Sequence, residues 1–212
     1  MKKTILLAAL ATVLAGGLFA QTATVTDFTG KVEYRLTTGD WQAVRTGLTV
    51  PLNATISTGF SSTATLDVAG STIRVAQLTR LTIEELADDG STVRTGVFVP
   101  VGRVRATVTT PAERSSDFRL RTAQSTAAVR GTDFETNGWQ IAVSEGVVEF
   151  ANLLGQSRNV SATQISVVTE GRPTDPADEL NRQADLGDGF GPDDGGDGSG
   201  PSGYITVRWG ER

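Results

Sequence analysis

The feature that most constrains this chain is a hydrophobic period of two that starts again every ten residues or so. "KVEYRL" sets Val32, Tyr34 and Leu36 against Lys31, Glu33 and Arg35, and "TATLDV" sets Ala64, Leu66 and Val68 against Thr63, Thr65 and Asp67. "RVRATV" and "FRLRT" repeat the rule, with Arg103 and Arg105 opposite Val104, and Arg119 and Arg121 opposite Phe118 and Leu120; "QIAVSE" places Ile141 and Val143 on one side. Successive side chains of a strand point to opposite faces, so each run predicts a strand with one buried face. Turn signals separate the runs: Thr38-Gly39-Asp40, Ala69-Gly70-Ser71, Asp88-Asp89-Gly90 and Asn137-Gly138. Short strands punctuated this often predict an antiparallel sandwich, a jelly roll or a short solenoid. There is also a loose echo, in which Gly30, Gly102 and Gly146 each stand just before a strand. A glycine there permits a bulge or a close corner.

What the chain lacks narrows its chemistry. Among 212 residues there is no cysteine and no histidine. Disulfides, thiolate nucleophiles and thiolate metal sites are excluded, and so are the commonest general base and the commonest transition-metal ligand. Phosphate-binding glycine loops and the nucleophile elbow are also missing. Catalysis by paired carboxylates needs two acids across a cleft, and nothing in the sequence pairs them. The expectation is a protein that is not an enzyme, with no catalytic residues, no metal and no cofactor. The formal charge of −5 argues against nucleic acid as a partner.

The ends read differently from the middle. "MKKTILLAALATVLAGGLFA" combines Lys2 and Lys3 with a short apolar stretch and a small residue, Ala20. Residues 1–20 are thus predicted to be a secretory signal peptide; the alternative, a retained anchor, is disfavoured by Gly16-Gly17. No later apolar run approaches the ~20 residues of a membrane span. A folded β domain is expected over 21–170 and a short polar helix over 171–186, with Asp175 as N-cap, Pro176 at the first helical position and Leu180 as its main apolar contact. Residues 187–203, "GDGFGPDDGGDGSGPSG", are expected to form a disordered tether, without the spacing of a calcium loop. "YITVRWGER", residues 204–212, is a strand candidate, either for an edge of the same domain or for a partner's sheet.

The motifs "RTAQSTAAVRGTDFE" and, at close spacing, "VSEGVVEF" resemble the FecR domain family, the periplasmic domain named after the iron(III)-citrate transport regulator. The order "GKV", "DWQAVRTGLTVPLNATISTG", "STATLDVAGSTIRVAQLTRLTIEEL" and "GRVRATV" extends the resemblance over roughly 24–170. It implies an all-β, antiparallel, jelly-roll-like sandwich with solenoid character. In well-known members the domain is the outer half of a membrane-spanning anti-sigma regulator and receives a signal from a TonB-dependent receptor. Here no anti-sigma region or internal membrane helix is read, so the expectation is a stand-alone, exported binding or scaffold module in the periplasm or envelope. Its expected partner is another envelope protein, with a glycan as the alternative. Exposed, coplanar Trp41 and Trp139 would favour the glycan; burial of both would favour a protein. The motif residues Arg130, Gly131, Thr132, Phe134, Glu145 and Gly146 are expected to be structural. Alternation puts Arg130, Thr132 and Phe134 on one side, Phe134 as a core anchor, and Glu145 is a candidate partner for Arg130.

Overall fold

The computed structural model describes residues 22–110, 113–169 and 172–188, with backbone alone for 183–188. The expected signal peptide, nearly all of the expected tether and the C-terminal strand candidate lie outside the described residues.

In chain order the strands are β1 (Ala23–Thr29), β2 (Val32–Arg35), β3 (Gln42–Ala43), β4 (Thr49–Val50), β5 (Thr55–Thr58) and β6 (Thr63–Val68). Then come β7 (Ser71–Val75), β8 (Arg80–Asp88), β9 (Thr92–Val101), β10 (Val104–Thr107), β11 (Ser115–Thr122) and β12 (Ser125–Val129). The last are β13 (Asp133–Thr136), β14 (Gln140–Glu145), β15 (Val147–Asn152), β16 (Ser157–Ser161), β17 (Ile165–Thr169) and β18 (Arg172–Pro173), followed by helix α1 (Pro176–Asp188).

These strands form two sheets of nine. The first runs β18-β17-β14-β13-β10-β7-β6-β1-β4 and the second β16-β15-β12-β11-β9-β8-β5-β2-β3. From β6 onward the chain lays a hairpin in one sheet, crosses, and lays the next in the other. A detour through a two-strand hairpin brings the chain back antiparallel, as between β12 and β15 or β10 and β13. The single-strand detour through β10 brings it back in the same sense, which is why β9 and β11 pair in parallel. The result is a mostly antiparallel all-β structure in two sheets, as the alternation predicts. Neither sheet closes on itself into a barrel or jelly roll, and no solenoid repeat is present among the described strands.

Most of the alternating runs bury the sides expected of them; the exception is Leu36, which lies past the end of β2 and is exposed. Ala64, Leu66 and Val68 of β6, Val104 and Ala106 of β10, Phe118 and Leu120 of β11, and Ile141 and Val143 of β14 are all buried. They meet between the sheets in one core, where the β11 ring of Phe118 stands edge-on to the β13 ring of Phe134, with centroids 6.5 Å apart. Such edge-to-face pairs suit the charge distribution of aromatic rings. The Ala69-Gly70 signal is a two-residue hairpin turn with both φ values positive, 52° and 82°, which matches the twist of the strands it joins.

At the C-terminal end the structure departs from the sequence reading. Arg172 and Pro173 pair with β17 rather than join the helix. The helix starts at Pro176, with the Asp175 carboxylate accepting from the Ala177 N–H at 3.0 Å, and it continues through Gly187. Leu180 is not its main contact: Leu180 is 39 % exposed, whereas Pro176 and Glu179 are buried. Glu179 is three residues past Pro176 and so shares the face that Pro176 turns to the domain. Leu180, four residues past Pro176, lies at the outer margin of that face and stays exposed. Glu179 is paired with Arg182 one turn further on.

Candidate functional site

The "VRGTDFE" stretch is a crossing between the sheets. β12 ends at Val129, Arg130 and Gly131 turn, and β13 begins at Asp133. Thr132 ties this corner to the previous crossing: Val108 N–H donates to Thr132 O at 2.9 Å and Thr132 N–H to Val108 O at 3.2 Å. Its hydroxyl donates to Val147 O at 3.2 Å, tying it to the next. Two glycines make this stacking possible. At φ +86°, a Cβ on Gly131 would stand 2.8 Å from Thr110 Oγ1. At φ +79°, a Cβ on Gly146 would stand 2.8 Å from the carbonyl oxygen of Gly131 and 3.0 Å from Thr132 Oγ1. Both conformations and both approaches exclude a side chain. Thus Gly131, Thr132 and Gly146 come together, and Phe134 is fully buried beside them.

Arg130 and Glu145 do not join this group. The turn resets the alternation, so Arg130 is exposed while Thr132 and Phe134 are buried. Glu145 is also exposed and makes no ion pair with Arg130 among the described residues. The ion pair of this corner is one the sequence reading missed. Arg105 Nε and Nη2 donate to the two oxygens of Asp133 at 2.9 and 3.1 Å, and Thr107 Oγ1 adds a third bond at 3.3 Å. The Asp133 carboxylate, with its hydrogen bonds and its charge, holds the Arg105 guanidinium above its ordinary pKa. A two-pronged arginine–carboxylate bond of this kind fixes geometry as well as charge. Since Asp133 is directly opposite Thr107 in the ladder, the signal was a cross-strand neighbour, which a single strand cannot reveal.

The exposed surface that stands out lies at the opposite ends of the strands. Phe60, Leu78 and Val101 are 78, 57 and 53 % exposed. Each occupies a corner, and the corners are neighbours. Leu78 N–H donates to Gly59 O at 3.2 Å and Ser61 N–H to Gln77 Oε1 at 2.8 Å. Arg103 N–H donates to Thr79 Oγ1 at 3.0 Å. Three large apolar side chains on adjoining corners have no partner in the core, and exposed apolar surface of this kind marks contact sites.

The tryptophans do not form a sugar platform. Trp139 is exposed in the β13–β14 turn of the first sheet, while Trp41 is half-buried beside β3 at the edge of the second, under the Arg35 guanidinium at 4.7 Å. Trp209 lies outside the described residues. A cleft of about 380 Å³ lies beside α1. Its charges alternate: Arg158 meets Asp175 at 3.2 Å, and Arg182 meets Glu179. Among the described residues no three acids are grouped to hold a metal ion. No described helix is long and apolar enough to cross a membrane.

Fold and surface together define an all-β domain of two facing sheets with exposed apolar side chains at one end of the strands. Residues 54–149 match the model of the family described as FecR protein, a match consistent with a FecR-family domain over this part of the chain. No curated protein matches the chain. It is similar to two crystal structures of a candidate anti-sigma factor from Parabacteroides distasonis ATCC 8503, with TM-scores of 0.48 in both. Identities are 18 and 17 %, over 57 and 61 % of this chain. The alignments span 57 and 64 % of those chains, less than two thirds of either. These matches correct one expectation. The module was expected to stand apart from anti-sigma proteins, with a glycan-binding module as the alternative. The solved structures it is similar to are themselves described as anti-sigma candidates, so that separation does not stand.

Proposed function

We propose that this chain is a regulatory protein of the FecR type, working within an anti-sigma signalling system by contact with another envelope protein. The observation that carries the reading is the FecR match over 54–149. It is supported by the position of Phe60, Leu78 and Val101, which fall inside the matched stretch and are exposed. The family resemblance supplies the kind of partner, the signalling domain of an outer-membrane receptor. Residues 1–20 act as the export signal in this reading, and the β domain over about 21–170 works in the periplasm or at the envelope. Gly131, Thr132, Phe134 and Gly146 belong to its framework rather than to a binding site.

The test is genetic. Deleting the gene in its source organism and sequencing transcripts should shift one sigma-dependent set of genes. Wild-type protein should restore the set, and the Phe60→Asp/Leu78→Asp variant should not, although it melts like wild type. A transcriptome unchanged by the deletion would overturn the reading.

A further inference from the structure

The two sheets end unequally. On the N-terminal side their edges are β3 and β4, of two residues each. On the other side the first sheet ends in β18, also two residues, where Pro173 has no N–H to offer. The second sheet ends in β16, Ser157–Ser161, which pairs with β15 on one side and with no strand on the other among the described residues. A five-residue edge displays unpaired backbone groups, and folded proteins cover or blunt such an edge. Here Arg158, the one charged residue of β16, is turned aside, its guanidinium bonded to Pro173 O at 3.2 Å and to Asp175 at 3.2 Å. The hairpin leading into β16 adds Leu153 and Leu154, both strongly exposed.

We propose that Tyr204–Trp209 of the same chain adds to the free side of β16 as a further strand. The inference is independent of the regulatory reading. The pattern fits first. On β16, Val160 faces the core opposite Val148, while Asn159 faces outward opposite Glu149. "YITVRW" offers Ile205, Val207 and Trp209 on one side and Tyr204, Thr206 and Arg208 on the other. One register therefore extends the apolar layer and brings Arg208 to the column of Glu149. The reach fits as well. Helix α1 begins beside β16, where Asp175 meets Arg158. Its 13 residues carry the chain about 20 Å away. The fifteen residues 189–203, rich in glycine, span on average about 20 Å when flexible. The segment can return along the helix to the edge it left, at an effective concentration in the millimolar range.

The chain has no native cysteine, so an engineered pair reports without interference. In the full chain, Asn159→Cys with Arg208→Cys should form an intramolecular disulfide under mild oxidation, and Asn159→Cys with Ser202→Cys should not. Hydrogen exchange gives a second readout. Amides of residues 157–161 should exchange about tenfold or more faster when residues 204–212 are deleted. Added peptide YITVRWGER should restore the slow rate. Equal exchange in the two forms would overturn the proposal. So would a disulfide found in dimers alone, or protection that grows with protein concentration, since either places a second copy on the edge.

Discussion

Gly102 precedes β10 as Gly146 precedes β15, and in both a hydroxyl fills the space where a Cβ would stand. At Gly146 it is Thr132 Oγ1, and at Gly102 it is Thr79, whose Cα would lie 2.5 Å from the added carbon. The glycine echo of the sequence is therefore a packing rule of the crossings, in which a bare backbone on one crossing receives a Ser or Thr from its neighbour. The glycines were legible because they recur before strands; the hydroxyls facing them were not, because they come from residues more than ten positions away. Gly102→Ala should cost about 1–3 kcal/mol, through the overlap and a φ of +103° that L-residues avoid. Phe134→Ala should cost about 3–5 kcal/mol, since the ring is fully buried against Phe118. Urea denaturation of both variants checks the pair, and an unchanged midpoint in either would remove its residue from the framework. Arg130 marks where single-residue reasoning failed. The turn at 130–131 shifts the phase of the strand pattern, and a period of two carries no information across a turn.

Among elements, the β8–β9 hairpin shows how a turn signal becomes a titratable structure. The Asp89 carboxylate accepts from Ser91 Oγ at 2.7 Å, Ser91 N at 3.0 Å and Thr92 N at 2.8 Å, and its other oxygen meets Arg94 at 2.7 Å. These bonds, led by the Ser91 hydroxyl, hold its pKa far below the usual aspartate range. The charged form is the one the fold favours. Whatever stability Asp89 adds is present in full above about pH 4, the unfolded value, and is lost as pH falls through the lower folded value. The urea midpoint of Asp89→Asn should accordingly lag wild type by a constant amount from pH 7 to about pH 4, and the gap should narrow below. A gap that widens in acid would contradict the assignment. Helix α1 is the opposite case. Its start was legible from Asp175-Pro176, but its docking face was not, because the one large apolar side chain suggested a hydrophobic contact. The domain instead takes Pro176 and Glu179, so Leu180→Ala should change the melting temperature little, by an amount within about 0.5 kcal/mol. A loss several times larger would return Leu180 to the interface.

For the whole molecule, the all-β character and the buried side of most strands followed from alternation and turn spacing, because burial on one face is a local property of each strand. Which strands pair, and that β9 and β11 run in parallel, did not follow, because pairing depends on how many strands each detour contains. That connectivity also decides what can fold alone. The FecR match begins at Ala54, inside the chain's advance along the sheets, and ends at Glu149, within β15. Cutting there removes β1, which pairs with β6 along Ala23–Thr29, and β2, which pairs with β5. It also removes the end of β15 from Phe150, with β16 and β17, and with β16 the strand beside Val148. The buried side chains of Ile56, Leu66 and Val148 would then line open edges, each losing burial worth roughly 1.5–3 kcal/mol. Against a net stability on the order of 5–15 kcal/mol, such losses leave no folded state. A fragment of residues 54–149 should thus show poorly dispersed amide resonances and no cooperative melt, whereas residues 22–188 should melt in a single transition with a strand-type circular dichroism spectrum. A cooperative melt from the shorter fragment would mean that the matched stretch is the folding unit and that the flanking strands are additions to it.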